Sequence, residues 1–238
     1  MMVFKNRSTE AELMDDLSLD SAILDKVLRD VSRANRLLGG DRITRKAVFS
    51  ILRSEQDRDY SITDVGCGDG AMLRQLAVIC RNMKYRVKFI GLDINEMAIR
   101  LAQENSRDFP EITYHTADVM KDPNHGFSSD IVLCTLTLHH IPSGQIPQFI
   151  KSLAAMARKA VVVNDLQRSP LAYCLFKFFS AIFIKTKIAR HDGLVSIKRG
   201  FKRSELMAFS RQVPAFIPEI KWKWAFRYLL ILAPADRI

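Results

Sequence analysis

Apolar positions set the first rhythm of the chain. Ile23, Leu24, Val27, Leu28 and Val31 recur at helical spacing, and Asp20 or Ser21 stands where a helix cap belongs. Gly39 and Gly40 end that helix and residues 42–52 begin another. Residues 10–53 therefore read as helical throughout, within an N-terminal helical extension spanning 1–55. From Tyr60 the period changes. Short apolar runs at 61–65, 87–92, 112–115, 131–136 and 160–164 read as strands, separated by helical patterns at 71–80, 96–105 and 146–156. Alternating apolar strands and helices predict an α/β fold: a Rossmann-like, mostly parallel sheet with helices on both faces.

The alternation stops after Asp165. Residues 169–190 are a strongly apolar helical stretch with a basic end, read as a lid inserted at 169–199. Its run from Leu171 to Ile184, interrupted by Lys177, is too short to span a bilayer. A helix at 203–211 and an alternating tail (Ile220, Trp222, Trp224, Phe226), turning continuously apolar by Leu232, are expected to add a helix and two closing strands. The sheet domain thus comprises 56–168 and 200–238.

The sharpest motif is Asp64-Val65-Gly66-Cys67-Gly68-Asp69-Gly70, where the first strand meets a helix. Glycine there tolerates positive φ and admits a ligand close to the backbone, and the helix start favours negative charge. Gly66, Gly68 and Ala71 formally satisfy the dinucleotide pattern G-x-G-x-x-G/A. Asp64, two residues before the first glycine, and Gly70, two after the second, instead satisfy the D/E-x-G-x-G-x-G pattern of S-adenosylmethionine enzymes. Asp93, ending the second strand, stands where an acidic residue hydrogen-bonds a ribose diol. Asp118, after the third strand, is placed to accept from an adenine amino group.

Taken together, residues 60–165 resemble the core of class I S-adenosylmethionine-dependent methyltransferases, particularly small-molecule enzymes of the ubiquinone-biosynthesis type. The resemblance implies that Asp64, Gly66, Cys67, Gly68 and Gly70 form the first cofactor motif. By the same resemblance Asp93 holds the ribose, Ile94 and Met97 lie beside the adenine, Asp118 and Val119 flank its edge, and Cys134 and Thr135 lie near the methionine portion. S-adenosylmethionine would be the cofactor and S-adenosylhomocysteine the product. Residues 164–170 and 190–193, with the N-terminal helices, are also similar to a bacterial subgroup associated with polyketide or lipid-like aromatic metabolism.

Methyl transfer requires aligned partners and excluded water, and a hydroxyl or acidic-carbon acceptor also needs a base. His139 and His140 follow the fourth strand, where ligands of parallel sheets bind, and His139 is preferred because it comes first. His191, beside Asp192 in a segment read as a loop after the apolar stretch, is a further candidate. Some quinone-pathway relatives hold a divalent metal through two glutamates and a histidine. Here Leu136 and His139 replace the glutamates and only His140 is retained, so no metal is expected. An apolar lid favours a small apolar acceptor: a phenol, quinone precursor, polyketide or lipid-like acid.

Charge adds a second theme. The net charge of +10 is concentrated in residues 151–238, which carry 17 Lys and Arg against 5 Asp and Glu. Lys185, Lys187 and Arg190 at the end of the lid point to peripheral contact with an anionic membrane. The same charge leaves a nucleic-acid methyltransferase as the alternative. Against it stands Leu138-His139-His140-Ile141, where an NPPY-like tetrad would hold a flipped base. A nicotinamide-dependent oxidoreductase is disfavoured by Asp64 and by the want of a Tyr-Lys pair. Four cysteines without metal-ligand spacing, and no long apolar leader, point to a cytoplasmic protein with free thiols.

Overall fold

The computed structural model describes residues 4–16, 18–53, 59–121 and 126–235. Strands β1 (Tyr60–Val65), β2 (Val87–Asp93), β3 (Ile112–Thr116), β4 (Ser129–Thr135), β5 (Ala157–Leu166), β6 (Phe216–Lys223) and β7 (Arg227–Pro234) form one sheet in the order β3-β2-β1-β4-β5-β7-β6. The first five run parallel, while β7 pairs antiparallel with β5 and with β6. The antiparallel hairpin is the pair of closing strands expected from the tail.

Burial on both faces explains the unbroken apolar strands. Along β4, Leu133 joins a cluster with Ile62, Leu73, Leu76 and Phe89, while Val132 and Cys134 join the opposite cluster with Ile150, Leu153 and Val161. Helices α2 (Gly40–Leu52), α3 (Ala71–Asn82) and α4 (Glu96–Asn105) supply the first face; α5 (Ile146–Met156) and α8 (Arg203–Ser210) supply the second. Burying about 25 cal/mol per Å² of apolar surface makes these two layers the main source of stability.

Two expectations need correction. Residues 10–53 are not helical throughout: before α1 (Ser21–Leu37) the chain is largely extended, with one 3-10 turn at Leu13–Asp15. Asp20 caps α1, accepting from the Ala22 and Ile23 N–H groups at 2.9 and 3.3 Å. The extended part is tied to distant elements. Arg7 Nε donates to the Arg199 carbonyl at 2.7 Å, and Asp192 accepts from the N–H groups of Leu13 and Met14 at 2.8 and 2.9 Å.

The apolar stretch is likewise two helices, α6 (Pro170–Phe183) and α7 (Lys187–Arg199), broken at Ile184–Thr186. Asp30 Oδ2 accepts from the Lys185 and Thr186 N–H groups at 3.0 and 2.7 Å, and Thr186 caps α7. His191 and Asp192 therefore lie within a helix and not in a loop. Gly193 lets α6 approach α7 closely, since a Cβ there would sit 2.4 Å from the Phe176 ring. Among the described residues no helix is long and apolar enough to cross a membrane.

Candidate active site

The carboxyl ends of β1, β2 and β3 form a crevice around the glycine loop. The Gly66 and Cys67 N–H groups donate to the Leu92 carbonyl at 2.8 and 3.1 Å, fastening the loop to β2. Gly66, Gly68 and Gly70 all have positive φ, which side chains disfavour. Gly66 and Gly70 also make room for Thr137 and Tyr114. Gly68 differs: a Cβ there would meet only Leu28, at 3.5 Å, so packing leaves its outer side open. Asp93 turns back onto the loop, accepting from the Gly68 N–H at 3.0 Å and the Asn95 N–H at 2.9 Å.

Asp64 stands behind this loop at the end of β1. It is buried and its Oδ1 has no hydrogen-bond partner. Burial, reinforced by the charge of Asp93, pushes its carboxyl up to about 7. A buried acid with an orphan oxygen requires a donor or a cation beside it. A cofactor carrying an ammonium and a sulfonium supplies that, and the Asp93 carboxylate suits a diol, so the donor set fits S-adenosylmethionine.

Other residues of that expected site are spread more widely. Met97 is half-buried beside Leu24 and Leu28 of α1, and Ile94 is exposed. Asp118 accepts from the Met120 N–H at 3.0 Å and pairs with Lys121 at 3.4 Å. Val119 and Cys134 are buried in the apolar cluster under α5. Burial raises the Cys134 thiol well above its usual range, so it offers the crevice no reactive thiolate. Thr135 meets Thr44 of α2 at 3.2 Å.

A second space opens past the ends of β4 and β5. It is a cavity of about 350 Å³ walled by α1, α6, α7 and the turn between β6 and β7, with His139, His140 and Glu12 on its surface. Most of its wall is apolar. Leu136, in the left-handed region at φ 55°, turns the chain from β4 toward His139. Arg7 Nη2 and Arg199 Nε donate to the His139 carbonyl at 2.7 and 3.0 Å, and Arg199 Nη2 donates to the His140 carbonyl at 2.6 Å. The N-terminal strap and α7 thus hold the histidine turn in place.

Inside that turn His139 is buried, with Nδ1 2.7 Å from Asp165 Oδ1. Its Nε2 lies 3.3 Å from Glu12 Oε1 but is not aligned for a hydrogen bond. Burial disfavours the imidazolium, yet the charge and hydrogen bond of Asp165, joined by Glu12, outweigh it and push His139 up to about 9. Asp165 and Glu12 are correspondingly held below the usual carboxylate range despite their burial. His140 lies 3.1 Å from Asp15 through Nδ1 and 3.7 Å from Glu12 through Nε2. Glu12, His139 and His140 present ligand atoms within 4.8 Å of one another, the one such group among the described residues.

The third histidine does not join them. His191 is largely exposed on α7, 3.0 Å from Asp192 and 3.4 Å from Glu10, while its neighbour Asp192 reaches the cavity. Conversely, sequence reasoning passed over Glu12 and Arg227. Glu12 comes from a stretch read as helical that is largely extended in the structure, and Arg227 sits where an apolar tail was the visible signal. Asp165 was seen only as part of a strand end; its place beside His139 is a product of β4–β5 pairing, which sets Thr135 opposite Asn164.

Comparison with known proteins agrees with the fold. Residues 62–160 match a family model described as a methyltransferase domain. An O-methyltransferase family protein from Burkholderia thailandensis superposes with a TM-score of 0.68 at 13% identity, over 98% of this chain and 66% of its own. The plantazolicin methyltransferase BpumL, in complex with SAH, gives 0.65 at 12% identity over 93% and 97%. Magnesium protoporphyrin IX methyltransferase (ChlM) from Synechocystis PCC 6803, with bound SAH, gives 0.57 at 19% identity over 83% and 84%. No curated protein matches the chain.

Proposed function

From the premise that residues 62–160 are a class I, S-adenosylmethionine-dependent methyltransferase domain, we propose that the protein methylates a small, largely apolar acceptor in the cavity beside His139. One observation carries this reading: a largely apolar cavity of about 350 Å³ on whose wall Glu12, His139 and His140 converge. Such a lining favours a phenol, quinone precursor, polyketide or lipid-like acid over a nucleotide.

Asp64, Asp93 and the backbone of Gly66–Gly70 would hold the cofactor, with Met97 and Asp118 toward the adenine. Bound there, S-adenosylmethionine supplies an electrophilic methyl group on a sulfonium. Asp165 keeps the proton on Nδ1 of His139, so that Nε2, the ring nitrogen beside Glu12, accepts the proton of the acceptor hydroxyl. A base with a pKa near 9 is matched to a weakly acidic hydroxyl. The strap through Glu12 and the lid helices exclude water and fix the acceptor, which accounts for most of what methyl transfer asks of a protein.

The lid also supports a peripheral membrane reading. Leu171, Leu175, Phe178 and Ile182 lie on one face of α6 at helical spacing and all are exposed, with Phe178 73% and Ile182 75% accessible. Lys177, Lys185 and Lys187 are exposed beside them. An apolar stripe edged by lysines suits an anionic lipid surface from which a greasy acceptor reaches the cavity.

The test is transfer of label from methyl-labelled S-adenosylmethionine to a panel of apolar phenols, enols and acids. Label should enter at least one member with wild-type protein and fail to enter it with His139→Ala. Equal transfer by both proteins would remove His139 from the reaction.

A further inference from the structure

Arg227 begins β7, opposite Leu166 of β5, and lies on the wall of the acceptor cavity. It is 2% exposed, and neither its Nε nor its Nη1 has a hydrogen-bond partner. Its acidic neighbours are engaged elsewhere. Asp165 serves His139 and accepts from the Leu166 N–H at 2.7 Å, while Asp41 accepts from Asn35 and from Gln75 Nε2 at 2.7 Å. Burial lowers the guanidinium to about 10, against the attraction of Asp165 and Asp41, which leaves it charged at neutral pH.

A buried cation with unpaired donors is costly unless an anion meets it. Apart from Glu12, Asn35, His139, His140, Asp192 and Ser196, the remaining wall is mostly apolar, with Leu175, Phe176 and Phe179 of α6 on one side. A planar guanidinium with free N–H groups matches the two oxygens of a carboxylate. We propose that Arg227 is the acceptor-binding residue that receives a carboxylate, and that the acceptor is an amphiphile with this acid at one end and an apolar body along α6. The inference rests on reading the cavity as the acceptor site. It narrows the acceptor class to acids ionised at neutral pH.

The test compares decanoate with 1-decanol, which share a chain and differ in the acid, by calorimetry in the presence of S-adenosylhomocysteine. Wild-type protein should bind decanoate about tenfold or more tighter than decanol. Arg227→Gln should lose that preference while keeping decanol affinity, and Arg227→Lys should retain part of it. Equal affinity of the wild type for the two ligands, or no binding of either, would overturn the proposal; so would a preference that survives in Arg227→Gln. Should Arg227→Gln fail to fold, the wild-type pair and Arg227→Lys decide. S-adenosylhomocysteine affinity, measured in the same cell, separates failure of this inference from failure of the methyltransferase reading: the first leaves it intact, the second abolishes it.

Discussion

Asp165 holds His139 at two points: its Oδ2 accepts the backbone N–H of His139 at 3.1 Å, and its Oδ1 lies 2.7 Å from the ring Nδ1. The first contact fixes the position of the residue and the second fixes its tautomer. That leaves Nε2, 3.3 Å from Glu12 Oε1, as the ring nitrogen for chemistry. His139→Ala should therefore lower turnover by about 10²- to 10⁴-fold, as loss of a general base does, with cofactor affinity unchanged. Asp165→Asn should lower turnover while the cofactor still binds. The check is steady-state kinetics together with calorimetry. Turnover of the wild type should rise with pH toward about 9, where His139 sheds its proton. A profile flat between roughly pH 6 and 9, the span from an ordinary imidazole's titration to that of His139, would contradict the base assignment.

The same pair makes stability depend on pH. His139 has its pKa raised from 6.5 to about 9 by folding. Its contribution is complete below the unfolded value and is lost as pH rises through the folded one. Asp165 and Glu12 are lowered, so their contributions are present above the unfolded carboxylate range and are lost on acidification. Thermal melts should thus show a maximum near neutrality and a declining melting temperature between roughly pH 7 and 10, the window bracketing the rise of His139 from 6.5 to about 9. His139→Gln should flatten the alkaline limb.

Much of this was legible from residue order, and the limits are physical. Strands buried on both faces announce themselves as apolar runs, and the turn at Gly66–Gly70 needs positive φ that only glycine adopts readily, so the sheet and the loop could be read directly. His139 was legible because a strand end in a parallel sheet is a ligand-binding place. Asp165 as its partner was not, since the pairing depends on the register of β4 with β5. Glu12 and Arg7 reach the histidine turn from more than 120 residues away, through a largely extended N-terminal segment whose partners are distant in the chain. The break between α6 and α7 depends on Asp30, a residue on another helix.

Glu12, His139 and His140 form a cluster able to ligate a metal, whereas a general base at His139 needs its Nε2 free for a proton. Exhaustive dialysis against EDTA should leave turnover unchanged, and added Zn²⁺ should inhibit by occupying Nε2. Loss of turnover on dialysis, restored by a divalent cation, would replace the base with a metal.

The exposed stripe on α6 carries its own test. Sedimentation with vesicles containing phosphatidylglycerol should retain the wild type, more weakly at high salt, and retain it poorly on phosphatidylcholine alone. A Phe178→Ser, Ile182→Ser double variant should lose binding with little change in melting temperature, because both side chains are already exposed. Binding that ignores both lipid charge and these substitutions would rule the surface out.

The central claim is that the crevice between the glycine loop and Asp93 holds an adenosyl cofactor, and calorimetric titration tests it most directly. S-adenosylmethionine should bind the wild type, more tightly as pH rises through about 7, where Asp64 ionises. Asp93→Ala should weaken it by about 1–3 kcal/mol through the lost charged hydrogen bonds, and NAD should give no heat. Binding of NAD in place of S-adenosylmethionine, or unchanged affinity in Asp93→Ala, would contradict the account.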